Sequence, residues 1–376
     1  MNRVEQYLAD RLEERMLAGN LRRLTTTRAE TDFFSNDYLG LVTTGALAML
    51  MHPYSFDAND TGATGSRLLS GNSEQAEALE NNIATFHKAK AALLFNSGYD
   101  ANVGLITSIT SRNTTILSDE LCHASLIDGI RLSQCARRYK FAHNDLNDLA
   151  EKLKKYRDAG PVLVVVESIY SMDGDMAPLS AIAALCSQND AQLIVDEAHA
   201  TGVTGVHGEG MVCALGLEES VFARVHTFGK AMGCHGAAIV GSNLLKQYLI
   251  NFSRTFIYTT ALPPHAVHSI SCAYKHLSHP DFTNEPIHEL IAYFRKKIRI
   301  TGIAGWKDSV SPIQAFITGN NANSKKIAAA LQVAGLQVNP ILSPTVANGQ
   351  ERLRICLHTF NTNEQVDRLF DIIGKH

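Results

Sequence analysis

The stretch HTFGKAMGCHGAAIVG, residues 226–241, surrounds Lys230 with small residues, and apolar runs precede and follow it. The chain is therefore predicted to enter the core, turn tightly around one amine and return to the core. A lysine held in such a place can have its pKa lowered and act as a nucleophile toward carbonyl compounds, forming a Schiff base. An ordinary solvated lysine in a glycine-rich turn has the same local pattern, so the rest of the chain decides between the two.

The composition of the 376-residue chain is that of a globular protein, since 45% of the residues are hydrophobic and 19% are charged. A net charge of -3 gives no electrostatic basis for binding nucleic acid or an anionic membrane. No apolar run reaches the roughly 18 residues of a transmembrane helix, and the first residues lack the apolar core of a signal peptide. The seven cysteines are scattered without a C-x-x-C pair, which favours free thiols in a cytoplasmic protein over a disulfide framework or a metal site.

Between about residues 75 and 240, short apolar runs alternate with helical stretches. The predicted strands lie at 91–95, 114–119, 161–167 and 191–196, and predicted helices include 76–88 and 144–157. Strands that are apolar throughout, alternating with helices, indicate an α/β fold with a mostly parallel sheet buried on both faces.

The pattern changes along the chain and predicts three regions. Residues 1–40 form an N-terminal helix (3–18) and arm, residues 41–281 a large α/β domain, and residues 282–376 a smaller C-terminal α+β domain. In the last region, predicted helices lie near 285–299 and 323–334, and predicted strands near 312–318, 336–339 and 352–357. Thr362 and Gln365 fit a capping box that starts the final helix.

Acidic residues end two of the predicted strands, at the edge where open α/β sheets bind their ligands. Glu167 and Asp196 close these strands, and His199 lies three residues beyond Asp196. A buried carboxylate could keep a heterocyclic nitrogen protonated, while the histidine holds the same planar ligand from a second direction. An acid at the end of an apolar strand can equally be a simple loop cap.

A second group of residues could hold an anion and a flat ring. Asn96-Ser97-Gly98-Tyr99 lies between a predicted strand and a predicted helix, so its backbone N–H groups could face an anion at a helix N-terminus. His123 follows another strand and could stack on a flat ligand, although a histidine satisfied by hydrogen bonds in a loop has the same pattern. Further donors could be the hydroxyl groups of Thr227, Thr259 and Thr260. A Schiff-base lysine, an acid, a stacking ring and a phosphate cradle are together the parts of a pyridoxal phosphate site.

Nine motifs extend this picture over nearly the whole chain. In order they are FFSNDYLGL (33–41), TGATGSRLLSGNSEQAEALE (61–80), FNSGYDANVGL (95–105), SDELCHASLIDGIRLS (118–133), ESIYSMDGDMAPL (167–179), VDEAHATGVTGVHGEG (195–210), HTFGKAMGCHGAA (226–238), FIYTTALPP (256–264) and RLRICL (352–357). Together they resemble the α-oxoamine synthases, pyridoxal-phosphate enzymes of fold type I. The resemblance implies a large domain with a mostly parallel sheet, a smaller C-terminal domain, pyridoxal phosphate as cofactor, and a homodimer that shares its active sites.

The resemblance also implies a role for each matching residue around the cofactor ring. Lys230 would form the Schiff base and later move protons at the substrate α-carbon. Asp196 would pair with the pyridine nitrogen, and His123 would stack on the ring. His199 and Ser171 would contact the phenolic oxygen.

By the same resemblance, the backbone at Gly98 and Tyr99, with Thr227, would hold the phosphate. Thr259 and Thr260 would reach the phosphate of the partner subunit.

The substrates have implied contacts as well. Arg354 would bind the amino-acid carboxylate with Asn36 nearby. Arg23, or its neighbour Arg22, would assist with the acyl chain.

Within the family, the motifs are most similar to the members that join L-alanine to pimeloyl-CoA or a pimeloyl acyl carrier protein. That reaction gives 8-amino-7-oxononanoate, carbon dioxide and the free thiol carrier, in biotin biosynthesis. HASLIDGIRLS is also similar to members that join glycine to acetyl-CoA, so that alternative stays open. A non-catalytic subunit on the same scaffold typically lacks the Schiff-base lysine, whereas Lys230 is present here. A nicotinamide dehydrogenase is disfavoured because no G-x-G-x-x-G follows a strand.

Overall fold

The structure is a computed structural model, and it describes residues 1–26, 29–52 and 61–376. The helices are α1 (Arg3–Leu17), α2 (Ala46–Met51), α3 (Glu74–Phe86), α4 (Gly98–Ile109), α5 (Ala124–Leu132), α6 (Leu146–Tyr156), α7 (Leu179–Gln188), α8 (Met211–Ala214), α9 (Asn243–Phe252), α10 (Arg254–Ile257), α11 (Pro264–Leu277), α12 (Glu285–Thr301), α13 (Asn321–Val333) and α14 (Asn363–Ile373). The strands are β1 (Thr31–Asp32), β2 (Ala91–Phe95), β3 (Thr115–Asp119), β4 (Arg137–Phe141), β5 (Val162–Glu167), β6 (Ala191–Asp196), β7 (Ala223–Thr227), β8 (Ala237–Gly241), β9 (Ile313–Ile317), β10 (Leu336–Gln337), β11 (Asn339–Ile341) and β12 (Arg352–Cys356).

The largest sheet has the order β2-β8-β7-β6-β5-β3-β4 within the described part of the chain. Strands β4, β3, β5, β6 and β7 run parallel to one another. Strand β8 alone among the described strands of this sheet is antiparallel to both of its neighbours, β2 and β7. The predicted α/β fold with a mostly parallel sheet is confirmed.

Strand β5 shows why this sheet is buried on both faces. Val162, Val164 and Val166 belong to one hydrophobic cluster, and Leu163 and Val165 belong to another. Successive side chains of a strand point to opposite faces, so an unbroken apolar run supplies both clusters at once. This alternation explains why residues 162–166 are all apolar.

The elements that the sequence predicted lie close to their predicted positions. Strands 91–95 and 191–196 are confirmed at both ends, and the helix predicted at 76–88 spans Glu74–Phe86, where the Ser73 side chain caps its N-terminus. Strand β4 was missed, because its sequence RRYKF is mostly polar and three of its five side chains are exposed. Strand β4 lies at the edge of the sheet, where side chains can face solvent and do not all need to be apolar.

Contacts group the chain into two compact units, one of residues 36–171 with 176–286, and one of residues 1–35, 172–175 and 287–376. The first unit contains the large sheet. The second has a three-stranded antiparallel sheet, β11-β12-β9, and the parallel pair β1-β10. The capping box of Thr362 and Gln365 at α14 is confirmed. The domain boundaries predicted at residues 40 and 281 stay a prediction.

No helix in the described ranges combines the length and the apolar character needed to cross a membrane. All seven cysteines are free thiols.

Candidate active site

Lys230 lies in the turn between the antiparallel strands β7 and β8. The Phe228 N–H donates to the Gly236 carbonyl at 3.0 Å, and the Cys234 N–H donates to the Phe228 carbonyl at 2.7 Å. Gly233 and Gly236 have φ angles of 63° and 117°, in the region that favours glycine. These glycines let the chain reverse tightly around one half-buried amine, as the sequence predicted.

A cavity of about 270 Å³ adjoins this turn. Its lining includes the following predicted site residues: Asn36, Gly98, Tyr99, His123, Asp196, His199, Thr227 and Lys230. They come from separate segments of the first unit, and several follow the carboxyl ends of β2, β3, β6 and β7. Parallel strands end at the same edge of a sheet, which brings these distant residues together.

A hydrogen-bonded chain runs from the lysine amine into the core. Lys230 Nζ lies 2.9 Å from His199 Nε2, and His199 Nδ1 lies 2.8 Å from the hydroxyl of Tyr38. Tyr38 in turn donates to Asn36 Oδ1 at 3.1 Å. His199 and Tyr38 are buried, so their orientation is fixed by packing as well as by these bonds.

A second chain connects Asp196 to His123 on the other side of the cavity. Asp196 Oδ2 accepts from Asn102 Nδ2 at 2.7 Å, and its Oδ1 accepts from the Ala198 N–H at 2.9 Å. Asn102 Nδ2 also donates to Ser125 Oγ at 2.9 Å, and Ser125 Oγ lies 2.7 Å from His123 Nδ1. The Asp196 side chain is therefore held in place by two N–H donors.

The surroundings of His123 favour the neutral form of its ring. Desolvation at the cavity wall lowers its pKa from the ordinary 6.5; the charge of Asp196 opposes this shift and that of Lys230 adds to it. The Ser125 N–H donates to His123 Nδ1 at 3.2 Å, so Nδ1 is an acceptor and the proton of the neutral ring lies on Nε2. A flat neutral ring at the cavity wall suits stacking.

Glu167 is paired in register with Asp196 on the neighbouring strand and also lines the cavity. Burial, with the charge of Asp196 beside it, raises the pKa of Glu167 well above its usual range. Two neighbouring carboxyl groups do not both ionise readily, and Glu167 is the one whose pKa is raised, so Glu167 is protonated.

The N-terminus of α4 forms a cradle suited to an anion. Ser97 caps this helix, and Gly98 and Tyr99 begin it at the cavity. A Cβ on Gly98 would lie 2.4 Å from Thr227 Cγ2, so only glycine allows this close approach. Among the described residues, Thr227 Oγ1 is buried without a hydrogen-bond partner. Free backbone N–H groups at a helix N-terminus and an unused hydroxyl are what a phosphate group requires.

Three predicted residues of the same unit lie outside the cavity lining. Ser171 is buried, and its N–H donates to Glu167 Oε2 at 3.3 Å. Asn96 Nδ2 donates to Thr259 Oγ1 at 2.9 Å and to the Thr260 carbonyl at 2.7 Å. The structure therefore gives Thr259 and Thr260 partners of their own within the chain.

Arg354 and Arg23 belong to the second unit. Arg354 lies on β12, is buried, and donates from Nη1 to Cys356 Sγ at 2.9 Å. Arg23 is exposed in the segment that follows α1.

Sequence reasoning missed three residues that organise the site: Tyr38, Asn102 and Ser125. Each lies inside a quoted motif, namely FFSNDYLGL, FNSGYDANVGL and SDELCHASLIDGIRLS. Their motifs marked them, but their partners could not be read from spacing, since Asn102 and Asp196 are 94 positions apart.

Comparison with known proteins agrees with this geometry. The model of the aminotransferase class I and II family matches residues 30–373. The chain belongs to the aminotransferase class I and II family. It is 40% identical to an 8-amino-7-oxononanoate synthase of Emericella nidulans, covering 94% of this chain and 91% of that protein. It is 39% identical to the same enzyme of Cellvibrio japonicus, covering 91% of this chain and 85% of that protein.

Solved structures are similar over most of the chain. An 8-amino-7-oxononanoate synthase from Francisella tularensis matches with a TM-score of 0.76 and 28% identity, covering 92% of this chain and 97% of that one. A serine palmitoyltransferase from S. paucimobilis with a bound pyridoxal phosphate–myriocin aldimine matches with a TM-score of 0.87, covering 100% of this chain and 98% of that one. At 23% identity, the latter likeness shows the fold alone. The predicted kinship with the α-oxoamine synthases is confirmed, and the protein is an acyltransferase that uses pyridoxal phosphate.

The residues at the cavity fit this cofactor. Lys230 supplies an amine, Asp196 a fixed carboxylate, and His123 a flat ring, while Gly98 and Thr227 form an anion cradle. Over the described ranges, the buried oxygens Asn102 Oδ1, Glu167 Oε1 and Thr227 Oγ1 have no hydrogen-bond partner. Buried polar atoms are normally paired, so these unpaired oxygens are what a polar ligand in the cavity would satisfy.

Proposed function

We propose that this protein joins L-alanine to a pimeloyl thioester, with loss of carbon dioxide, to give 8-amino-7-oxononanoate and the free thiol carrier. The carrier is CoA or an acyl carrier protein. The observation that carries the proposal is the 2.9 Å approach of Lys230 Nζ to His199 Nε2 in a cavity that also presents Asp196 and His123. Support for the product comes from the relatives, which are named for this compound at 35–40% identity.

Pyridoxal phosphate supplies an aldehyde that bonds amines and a ring that withdraws electrons from the substrate α-carbon. Lys230 binds the cofactor through its amine and then moves a proton at the α-carbon of L-alanine. Asp196 holds a proton at the ring nitrogen through its negative charge. His123 orients the ring by stacking, and His199, with Ser171, binds the phenolic oxygen.

The remaining residues bind the charged groups. Gly98 and Tyr99, through their backbone N–H groups, and the hydroxyl of Thr227 bind the phosphate. Arg354 binds the carboxylate of L-alanine, because a guanidinium matches a carboxylate with two parallel hydrogen bonds. Asn36 lies near that carboxylate, and Arg23 assists the acyl chain.

The test is turnover by the cofactor-loaded protein with L-alanine and pimeloyl-CoA, measured as free thiol, carbon dioxide and product mass. We expect release of thiol and carbon dioxide in equal amounts, with a product of the mass of 8-amino-7-oxononanoate. Parallel assays use glycine with acetyl-CoA and L-serine with palmitoyl-CoA. Faster turnover in either parallel assay would contradict the proposed substrates and reassign the enzyme within its family.

Lys230→Ala is expected to reduce the rate by at least about 10²-fold, because the base at the α-carbon is lost. Lys246→Ala is the matched control, since Lys246 is also half-buried and forms an ion pair with Glu80 at 2.8 Å. Wild-type turnover by Lys230→Ala would sink the assignment of this lysine.

We propose further that the protein is a cytoplasmic homodimer in which Thr259 and Thr260 bind the phosphate of the partner subunit. Its free cysteines support a reducing compartment. Sedimentation of the cofactor-loaded protein tests the dimer.

Mixing Lys230→Ala protomers with Thr260→Ala protomers tests whether the two subunits share their active sites. If they do, a hybrid dimer regains one site with both Lys230 and Thr260 intact. Activity that does not recover on mixing speaks against shared sites.

A further inference from the structure

Tyr38 lies behind the cavity and is fully buried. Its hydroxyl is 2.8 Å from His199 Nδ1 and 3.1 Å from Asn36 Oδ1. His199 Nε2, on the opposite side of the same ring, faces Lys230 Nζ at 2.9 Å. The tyrosine thus contacts the histidine on the side away from the lysine.

The single hydrogen of the Tyr38 hydroxyl fixes the donor and acceptor in each of these bonds. An amide oxygen only accepts, so the single hydroxyl hydrogen of Tyr38 points to Asn36 Oδ1. The hydroxyl oxygen must then accept from His199, which places the proton of the neutral ring on Nδ1. His199 Nε2 is left as an acceptor that faces the Lys230 amine.

We propose that Tyr38 is a positioning residue, which fixes the tautomer of His199 so that Nε2 presents a lone pair to Lys230 and to the cofactor oxygen. The expected effect on turnover rests on the proposed function. The tautomer of His199 does not depend on it. With Nε2 as an acceptor, His199 binds a protonated partner and holds the proton there. The other tautomer would direct an N–H at the lysine ammonium and repel it.

The chain offers a matched control for this hydrogen bond. The hydroxyl of Tyr274 lies 2.8 Å from His87 Nε2, and both side chains are buried. Tyr274→Phe therefore removes a buried tyrosine–histidine bond of the same length, away from the cavity lining. Any general effect of losing such a bond appears in both variants.

The first measurement is nitrogen NMR of histidine-labelled wild-type protein without cofactor, with the His199 signals identified by their loss in His199→Asn. We expect His199 to carry its proton on Nδ1. A proton on Nε2 in the wild type would overturn the proposal without any need for a Tyr38 variant.

The second measurement is the pH dependence of the visible absorbance of the cofactor-loaded protein, with no substrate. Tyr38→Phe should shift the midpoint by about half to one pH unit, the equivalent of one lost hydrogen bond, and Tyr274→Phe should not. It should also lower kcat by about three- to tenfold with KM little changed. An unshifted midpoint in Tyr38→Phe, or an equal shift in Tyr274→Phe, would overturn the proposal.

Failure of the proposed function is a separate result. If L-alanine and pimeloyl-CoA do not turn over, but Tyr38→Phe alters the His199 signals and the absorbance midpoint, the positioning role stands and only the substrates are wrong.

Discussion

Two carboxyl groups, Asp196 and Glu167, end adjacent strands of the sheet, and their hydrogen-bond partners differ. Asp196 accepts from the Asn102 amide and the Ala198 N–H, whereas one oxygen of Glu167 has no partner among the described residues. Burial raises the pKa of Glu167, so this side chain stays protonated. The same place at a strand end thus gives two carboxyl groups different hydrogen-bond partners.

Asp196→Asn should keep the shape of this side chain and remove its charge. We expect kcat to fall by about 10²-fold or more, because a charge placed at the reacting group is typically worth that much. Steady-state turnover of the cofactor-loaded variant measures this. The matched control is Asp119→Asn, a buried aspartate at the end of β3 that accepts from the N–H groups of Leu121 and Asn144. An equal loss of kcat in both variants would speak against a specific role for Asp196.

Asn102→Asp should replace a donor to Asp196 by a second carboxyl group at the same 2.7 Å separation. Like charges at that distance prevent both groups from ionising, so we expect weaker cofactor binding and a free energy of unfolding lower by about 1–3 kcal/mol. Titration of the apoprotein with pyridoxal phosphate, and urea unfolding, measure the two effects. Asn102→Ala removes the donor without adding charge. Equal cofactor affinities of the two variants would rule out charge repulsion as the cause.

At the scale of elements, helix α4 depends on one close contact for its place at the cavity. Gly98 at its first position meets Thr227 at the end of β7, and a Cβ there would lie 2.4 Å from the Thr227 methyl group. The helix N-terminus and the strand end therefore meet without a side chain between them. This approach is what brings the free N–H groups and the Thr227 hydroxyl to one anion.

Gly98→Ala should push the first turn of α4 away from β7. Overpacking of this kind costs about 1–3 kcal/mol, and we expect a matching loss of cofactor affinity, measured by titration with pyridoxal phosphate. Thr227→Ser removes the obstructing methyl group and keeps the hydroxyl. The double variant should therefore bind the cofactor more tightly than Gly98→Ala alone. No recovery in the double variant would mean that the methyl contact is not the cause.

At the scale of the whole molecule, the fold buries two stacked histidines, His87 and His226, with ring centroids 3.6 Å apart. Burial lowers the pKa of His87 to about 3 and that of His226 well below its usual range. The bond from His87 Nδ1 to the Glu209 carbonyl raises the pKa of His87, but the desolvation by burial outweighs it, and the Tyr274 hydroxyl lies 2.8 Å from Nε2. The pKa of Glu197 shifts in the opposite direction, because burial raises it to about 7.

These shifts predict how stability depends on pH. Below the ordinary histidine pKa of 6.5, both histidines bind a proton in the unfolded chain but not in the folded chain. The free energy of unfolding therefore decreases as the pH falls. For His87 this decrease continues down to about pH 3. Between about pH 7 and the ordinary glutamate pKa of 4.5, Glu197 binds a proton in the folded chain but not in the unfolded chain. This raises the free energy of unfolding as the pH falls and offsets part of the decrease from the histidines. The slope for each group reaches about 1.4 kcal/mol per pH unit.

His87→Phe isolates one histidine, since Glu197 and His226 remain. Between about pH 6 and pH 5, urea unfolding should show a slope smaller than that of the wild type by up to about 1.4 kcal/mol per pH unit. His279→Phe, at an exposed position, is the control and should keep the wild-type slope. The explanation fails if His87→Phe keeps the full pH dependence.

The local sequence pattern was enough to predict the strands that are buried on both faces and the turn that contains several glycines. The run 161–167 had to be a central strand, because only such a strand needs apolar side chains on both faces, and the glycines around Lys230 required a tight turn. Strand β4 could not be found this way, since RRYKF is a polar edge strand that forms through its bonds to β3. For the site, sequence identified the groups that line the cavity but not the chains of hydrogen bonds that orient them.

The sequence by itself determined the mostly parallel sheet, four of its strands, the buried turn at Lys230 and the set of reactive groups at the strand ends. Hydrophobic periodicity and backbone conformation are local properties, so they can be read from neighbouring residues. Only the tertiary structure decided that Tyr38 contacts His199, that Asn102 contacts Asp196, and that Glu167 is the protonated acid. Such contacts join residues far apart in the chain, and charge states follow from burial and hydrogen-bond partners, which exist only once the chain has folded.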